Sequence, residues 1–158
     1  MISAVTFHYQ DKLTVIISPI VEQYFSNMKS SFSYSLETGG ILIGMLSSGP
    51  TITITDVTMA QPKDVRHKFR FFRSADGHQS LMDQLWEESG YRKMYLGEWH
   101  THPEAIPSPS RVDICGWKSI AKKRQNTPWT LFVILGQQAF KIWTVENQTV
   151  KELTLGAK

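Results

Sequence analysis

Apolar and polar positions along this 158-residue chain fall into two periods, and their order predicts the elements. Leu13-Thr14-Val15-Ile16-Ile17 reads as a strand, and Ser18-Pro19 follows it as a helix N-cap with proline at the first helical position. Val21, Phe25 and Met28 recur at i, i+4 and i+7, so a helix of about three turns packs one face inward. Ser30 to Ser35 is a polar break. The run from Gly40 to Leu46 is continuously apolar, as in a strand buried on both faces. Residues 47–50 predict a turn. Residues 51–58 alternate Thr and Ile, which predicts a half-buried strand in a hairpin with the run before it.

Residues 60–68 are polar and predict a surface loop, and Phe69 to Arg73 a short strand. A helix is expected from Ser74 to about Ser89, with Leu81 and Leu85 on one face, Trp86 beside them and Gly90 ending it. Met94 to His100 reads as a strand. Ser110 caps a third helix, with Ile114, Trp117 and Ala121 on one face. Residues 131–135 predict a buried strand. Residues 140–145 pair back onto it, and 149–154 form a short edge strand. No repeat or linker interrupts the pattern, so one domain is expected over residues 1–158. Strands outnumber helices and hairpins alternate with helical crossings, which predicts a mixed α/β sheet with helices on its faces.

Composition narrows the class without changing that picture. Apolar residues make up 41% and charged residues 20%, as in a soluble globular protein. The net charge of +3 is only a mild bias towards acidic partners. Lys122-Lys123-Arg124 suits the last turn of a helix, where cations meet the macrodipole. No aromatic-basic platform accompanies it, so no nucleic-acid partner is expected. The single cysteine, Cys115, excludes an intrachain disulfide and a Cys-based zinc knuckle, and reads as a packed helix residue. The N-terminus lacks a signal-peptide pattern. No apolar run approaches the ~20 residues that span a bilayer. No membrane association and a cytoplasmic location are the resulting expectations.

The chemistry centres on His100-Thr101-His102-Pro103. Side chains at i and i+2 of a strand share a face, so both imidazoles can meet one metal ion. A seven-residue loop containing Pro103, Pro107 and Pro109 leads to Ser110-Arg111-Val112-Asp113, which offers a third ligand and a neighbouring hydroxyl. Two nitrogens and one carboxylate leave a fourth zinc position open, the catalytic pattern. Taken alone, His-x-His is often a surface feature and Ser-x-x-Asp a helix cap. Their ordered combination across a stiff loop is more specific. Water on such a zinc has a pKa lowered towards ~7, and a carboxylate must take its proton and pass it to the leaving amine. No His-Glu-x-x-His helix supplies one. Glu98 shares the strand face of the histidines, Glu104 follows them in the loop, and Glu37 opens the buried Gly-rich run. The residues themselves do not choose among the three.

Glu37 followed by Thr38-Gly39-Gly40-Ile41-Leu42-Ile43-Gly44, then His100-Thr101-His102-Pro103, then Ser110 and Asp113, resembles the JAMM (MPN+) metalloprotease signature. Every position matches with its spacing, and the order of elements is compatible from about residue 13 to 154. The resemblance implies a curved mixed sheet flanked by about three helices, the JAMM/MPN fold. It implies an isopeptidase acting on ubiquitin or ubiquitin-like proteins. One Zn2+ would be bound by His100, His102 and Asp113, with Glu37 handling the proton and Ser110 hydrogen-bonding the oxyanion. Glu98 has no role in the signature and is left as a support. The short chain resembles the stand-alone prokaryotic branch. Its Gly97 to Glu104 context is similar to the JAMM proteins of bacterial CBASS anti-phage operons, which lie beside an E1–E2-like enzyme and a cGAS-like nucleotidyltransferase. The implied substrate is a ubiquitin-like protein or the conjugated C-terminal tail of that nucleotidyltransferase. The rival readings are a zinc amidase acting on a sulfur-carrier or small-molecule conjugate, and a non-catalytic MPN scaffold, which would lack ligands.

Four further features carry expectations. His67 and His78 read as surface residues. Trp99, next to His100, should face the opposite side of the strand and pack in the core. Phe69, Phe71 and Phe72 with Arg70 and Arg73 form either an ordinary amphipathic strand or one wall of a groove for an extended tail. Loop 60–68 is the expected substrate-contacting flap.

Overall fold

A computed structural model describes residues 4–31, 36–67, 71–124 and 129–156. Among these residues the chain runs β1 (Val5–Tyr9), β2 (Leu13–Ile17), α1 (Pro19–Ser31), β3 (Gly39–Leu46) and β4 (Thr51–Val57). It continues through β5 (Val65–Arg66), β6 (Phe71–Phe72), α2 (His78–Glu88), β7 (Met94–Thr101) and α3 (Arg111–Lys123). It closes with β8 (Leu131–Leu135), β9 (Phe140–Glu146), β10 (Thr149–Glu152) and β11 (Thr154–Leu155). Nine strands form one sheet in the order β10-β9-β8-β7-β3-β4-β2-β1-β11, and β5 pairs with β6 alone. Two neighbouring pairs are parallel, β2 with β4 and β7 with β8, and the rest are antiparallel. The mixed α/β class follows, with helices on both faces of the sheet.

β10 and β11 lie at opposite edges of the sheet, yet Leu153 alone separates them in sequence. One residue spans only ~3.8 Å between neighbouring Cα atoms, so the sheet must curl until its two edges meet. Tyr9 and Lys12 donate across that seam to Glu146 at 2.9 and 3.0 Å, and Phe7 packs on Phe140. The expected single edge strand over 149–154 is therefore two strands. Leu153 is buried and donates to the Ile142 carbonyl at the break.

The two faces of the sheet carry different cores. On one, α1 brings Val21 and Phe25 against Leu42, Ile54, Trp99 and Val133. Trp99 is 1% exposed and lies 5.9 Å from the Phe25 ring, as its place in the alternation predicts. On the other face, α3 stacks Trp117 on Phe132 with centroids 4.9 Å apart, and α2 covers Ile41 and Ile43 with Met82. β3 is buried on both sides, as its continuous apolar run predicts.

Three local expectations are corrected. β1 was not anticipated; its Phe7 and Tyr9 point inward while Thr6 and His8 are more exposed. α2 begins at His78, not Ser74, because the Ser74 amide donates to Asp64 and Gly77 turns at φ +82° before the helix. Its buried face carries His78 and Met82, leaving Leu81 and Trp86 exposed. Loop 60–68 is not wholly irregular, since it contains β5. Phe69 and Arg70, and residues 32–35 of the Ser-rich break, lie outside the described residues. Among the described residues, no helix is long and apolar enough to cross a membrane.

Candidate metal centre and its groove

β7 delivers the histidines. It pairs antiparallel with β3, placing Gly39 opposite His100, and parallel with β8, placing His100 beside Ile134. A Cβ at Gly39 would lie 2.3 Å from the Trp99 carbonyl, so only glycine lets β3 lie this close to β7. Thr38 and Thr101 tie the ends together, Thr38 N–H donating to Thr101 Oγ1 at 3.0 Å and Thr101 N–H to the Thr38 carbonyl at 2.9 Å. Glu37, one residue further back, is thereby held beside the histidine strand. Its side chain is 2% exposed, a buried carboxylate at the N-terminal end of β3.

The sequence-predicted residues converge. His100 Nε2 and His102 Nε2 are 3.0 Å apart. The Asp113 carboxylate sits against both, Oδ1 at 3.2 Å from His100 and Oδ2 at 3.1 Å from His102. Glu37 Oε1 lies 3.7 Å from His102 Nε2, and ligand atoms of Glu37, His100 and His102 fall within 4.8 Å of one another. Asp113 also belongs to a full capping box. Its amide donates to Ser110 Oγ, and its Oδ2 accepts from the Ser110 amide. The cap and the contact with both imidazoles are therefore one arrangement. The cap fixes the carboxylate in the place where it meets the imidazoles.

The other two glutamates are engaged elsewhere. Glu98 accepts from Arg73 Nε at 2.6 Å and from the Tyr95 hydroxyl. Glu104 meets Nδ1 of His102 at 3.1 Å, on the far side of that ring, and accepts from the Ser108 amide. A carboxylate on the second nitrogen orients an imidazole and raises its basicity as a ligand. Glu37 Oε2 alone, among buried side-chain polar atoms of the described residues, has no hydrogen-bond partner. An orphaned buried oxygen beside two imidazoles and a carboxylate fits a cation and its water. The cluster can hold a metal ion.

The titratable groups of the cluster perturb one another. Burial pushes the Glu37 carboxyl up to about 7, assisted by Asp113 and Glu104 and opposed by His102. A carboxyl near neutrality can both accept and return a proton. Burial would also raise Asp113, but hydrogen bonds from His100 and His102 hold it well below the usual carboxylate range. Burial disfavours a charged His102, yet its bonds to Asp113 and Glu104 outweigh that and raise it.

A groove of about 500 Å³ opens from this cluster. Phe71, Phe72 and Arg73 form one wall, and Val112, Gly116, Trp117 and Ile120 of α3 form the other. Glu37, His100, Ser110 and Asp113 lie along it. Phe71 to Arg73 therefore line a groove, while Phe69 and Arg70 of the same expected strand lie outside the described residues.

Residues outside the predicted set also matter here. His78 is 1% exposed, not a surface residue. Its Nδ1 meets Thr58 Oγ1 and its Nε2 meets Asp64 Oδ2, both at 2.6 Å. Polar partners scattered over residues 58–78 leave no signal in a hydropathy pattern. His67 is exposed as expected, whereas Cys115 is exposed rather than packed.

The family model for prokaryotic homologs of the JAB domain matches residues 28–148. The chain is a prokaryotic JAB-domain protein. Relatives of this JAB protein carry a functional name. It is 34% identical over 122 residues to a protein of Pseudomonas aeruginosa named "CD-NTase/cGAS isopeptidase", covering 77% of this chain and 76% of the relative. It is 29% identical over 153 residues to a protein of the same name from Vibrio cholerae, covering 95% of each. The solution structure of protein DSY2949 from Desulfitobacterium hafniense superposes with a TM-score of 0.54 at 20% identity over 84% of each chain, a likeness of fold.

Proposed function

We propose that this JAB protein is a zinc metallo-isopeptidase that cleaves the bond after the C-terminal residue of a conjugated protein. The relatives' name points to a CD-NTase as the conjugated protein. The observation that carries the reading is the Asp113 carboxylate set against both Nε2 atoms, with the partnerless buried oxygen of Glu37 beside them. His100, His102 and Asp113 would hold the ion, a nitrogen and oxygen set that suits zinc. When bound, zinc lowers the pKa of a coordinated water and polarises the scissile carbonyl. Glu37 takes the proton of the attacking water and returns it to the leaving amine. Ser110 Oγ accepts from the Asp113 amide, so its own proton is free to donate to the developing oxyanion. Glu104 orients His102 through Nδ1. An E1–E2-like conjugating enzyme is the partner such a deconjugase implies.

Metal content and cleavage of a CD-NTase joined through its C-terminus to a reporter test the reading together. Glu37→Gln is expected to retain zinc and lose cleavage by at least ~10³-fold. Asp113→Ala is expected to lose both. Full zinc in Asp113→Ala, or an active Glu37→Gln, refutes the role given to that residue.

A further inference from the structure

The groove has a gap in one wall that the fold does not explain. Gly116 lies inside α3 and lines the groove, and a Cβ built on it would meet nothing within 4 Å. The other nine glycines have a reason within the fold. Each has a positive φ or would bring a Cβ to 3.0 Å or less from a neighbour. A helix-interior glycine is the least favoured residue there after proline. Gly116 therefore weakens α3 with no contact inside the chain in return, and it stands exposed on the groove lining.

Val112, Gly116 and Ile120 stand at i, i+4 and i+8, so they form one stripe along the groove. Gly116 is three residues past Asp113, about 4.5 Å along the helix. An extended chain advances about 3.4 Å per residue. The opening over Gly116 thus stands one to two residues from a carbonyl placed at the cluster. The leaving side of an isopeptide is a lysine stem, thin and unbranched. The acyl side is an extended tail carrying side chains. Trp117, Ile120 and Phe71 make the surroundings of the opening apolar.

Building on the isopeptidase reading, we propose that Gly116 is a specificity position. It receives a large apolar side chain, of Leu or Phe size, at the second residue from the C-terminus of the substrate tail. A tail of small residues leaves this space unfilled.

Two tail peptides, differing only in Phe or Gly at that second residue, are titrated onto the zinc-loaded chain and binding is read by tryptophan fluorescence. The unmodified chain should bind the Phe tail about tenfold or more tighter, the return on burying one large side chain. Gly116→Leu fills the space and should erase that preference. Ser119→Leu, exposed on the same helix and outside the groove lining, should keep it. Equal binding of the two tails by the unmodified chain, or a preference that survives in Gly116→Leu, overturns the proposal. A chain that shows the preference but cleaves neither corresponding conjugate overturns the isopeptidase reading and leaves the specificity assignment standing.

Discussion

Asp64→Asn should cost this protein much of its stability, and the cost can be worked from three bonds. Asp64 Oδ2 accepts from the Gln61 amide at 2.7 Å and from His78 Nε2 at 2.6 Å, and Oδ1 accepts from the Ser74 amide at 2.7 Å. The direction at His78 follows from bond accounting. The Asp64 carboxylate can only accept, so His78 Nε2–H donates to it, and Nδ1 of the neutral ring then accepts from the Thr58 hydroxyl, whose oxygen also accepts from the Ile41 amide. Asparagine offers one acceptor oxygen, so in either orientation its amide faces a buried donor. Orphaning that donor costs about 1–3 kcal/mol, and replacing a charged acceptor by a neutral one costs about 1 kcal/mol per remaining bond. A total of about 3–5 kcal/mol follows, or a Tm lower by about 10 °C for a chain of this size. Differential scanning calorimetry at pH 7 measures it. The pH dependence gives a second check. Burial alone would raise the Asp64 carboxyl, but its bonds from Gln61, His78 and Ser74 hold it below its ordinary value. A folded pKa below the unfolded one stabilises above the unfolded value, about 4, and that contribution is lost as pH falls through the folded value. The gap between Asp64→Asn and the unmodified chain should therefore narrow below pH 4. A loss under about 1 kcal/mol, or a gap that stays constant down to pH 3, refutes the account. Asp64 and His78 also anchor the segment that carries Phe71 to Arg73. The variant should accordingly raise KM for a tail substrate more than it lowers kcat.

Two further outcomes separate the residues around the histidines. Glu98→Gln should keep its zinc and lose far less cleavage than Glu37→Gln, because both Glu98 oxygens serve Arg73 and Tyr95 rather than the cluster; a dead, zinc-loaded Glu98→Gln sinks this division. Chelation should lower the Tm of the unmodified chain through mass action on the folded state but leave Asp113→Ala unmoved, and equal shifts in the two proteins would refute the ligand assignment.

Much of the architecture was legible because it rests on burial. The continuous run over Gly40–Leu46 and the alternation around Trp99 are patterns of side chains meeting a core, and both appear where expected. The misjudged elements are those fixed by polar partners or by topology. α2 starts four residues later than its hydropathy suggests, because Asp64 captures the Ser74 amide. His78 reads as surface in sequence, and only its two buried partners, Thr58 and Asp64, make it an interior residue. The split at Leu153 comes from curvature closing the sheet, which no local window contains. At the site, the His-x-His and Ser-x-x-Asp geometry follows from strand and helix periods. The choice among Glu37, Glu98 and Glu104 rested on resemblance, since their partners, Arg73 and Tyr95 for Glu98 and Nδ1 of His102 for Glu104, are set by packing.

The charge balance at the cluster explains why Glu37 is the carboxyl near neutrality. Glu37, Glu104 and Asp113 gather around two imidazoles, which ligate a metal only when neutral. The two outer carboxylates have partners that favour their charge. Asp113 takes the capping box and both Nε2 atoms, and Glu104 takes an amide and Nδ1. Glu37 is the most buried of the three and keeps one oxygen unpaired, so the repulsion of the other two falls on it and adds to its desolvation. A divalent cation held by the imidazoles and Asp113 would reverse the sign of that field at Glu37. The same placement that makes Glu37 costly to ionise therefore couples its proton to the charge at the cluster. Glu98, with both oxygens committed to Arg73 and Tyr95, is held out of that coupling although it shares their strand face.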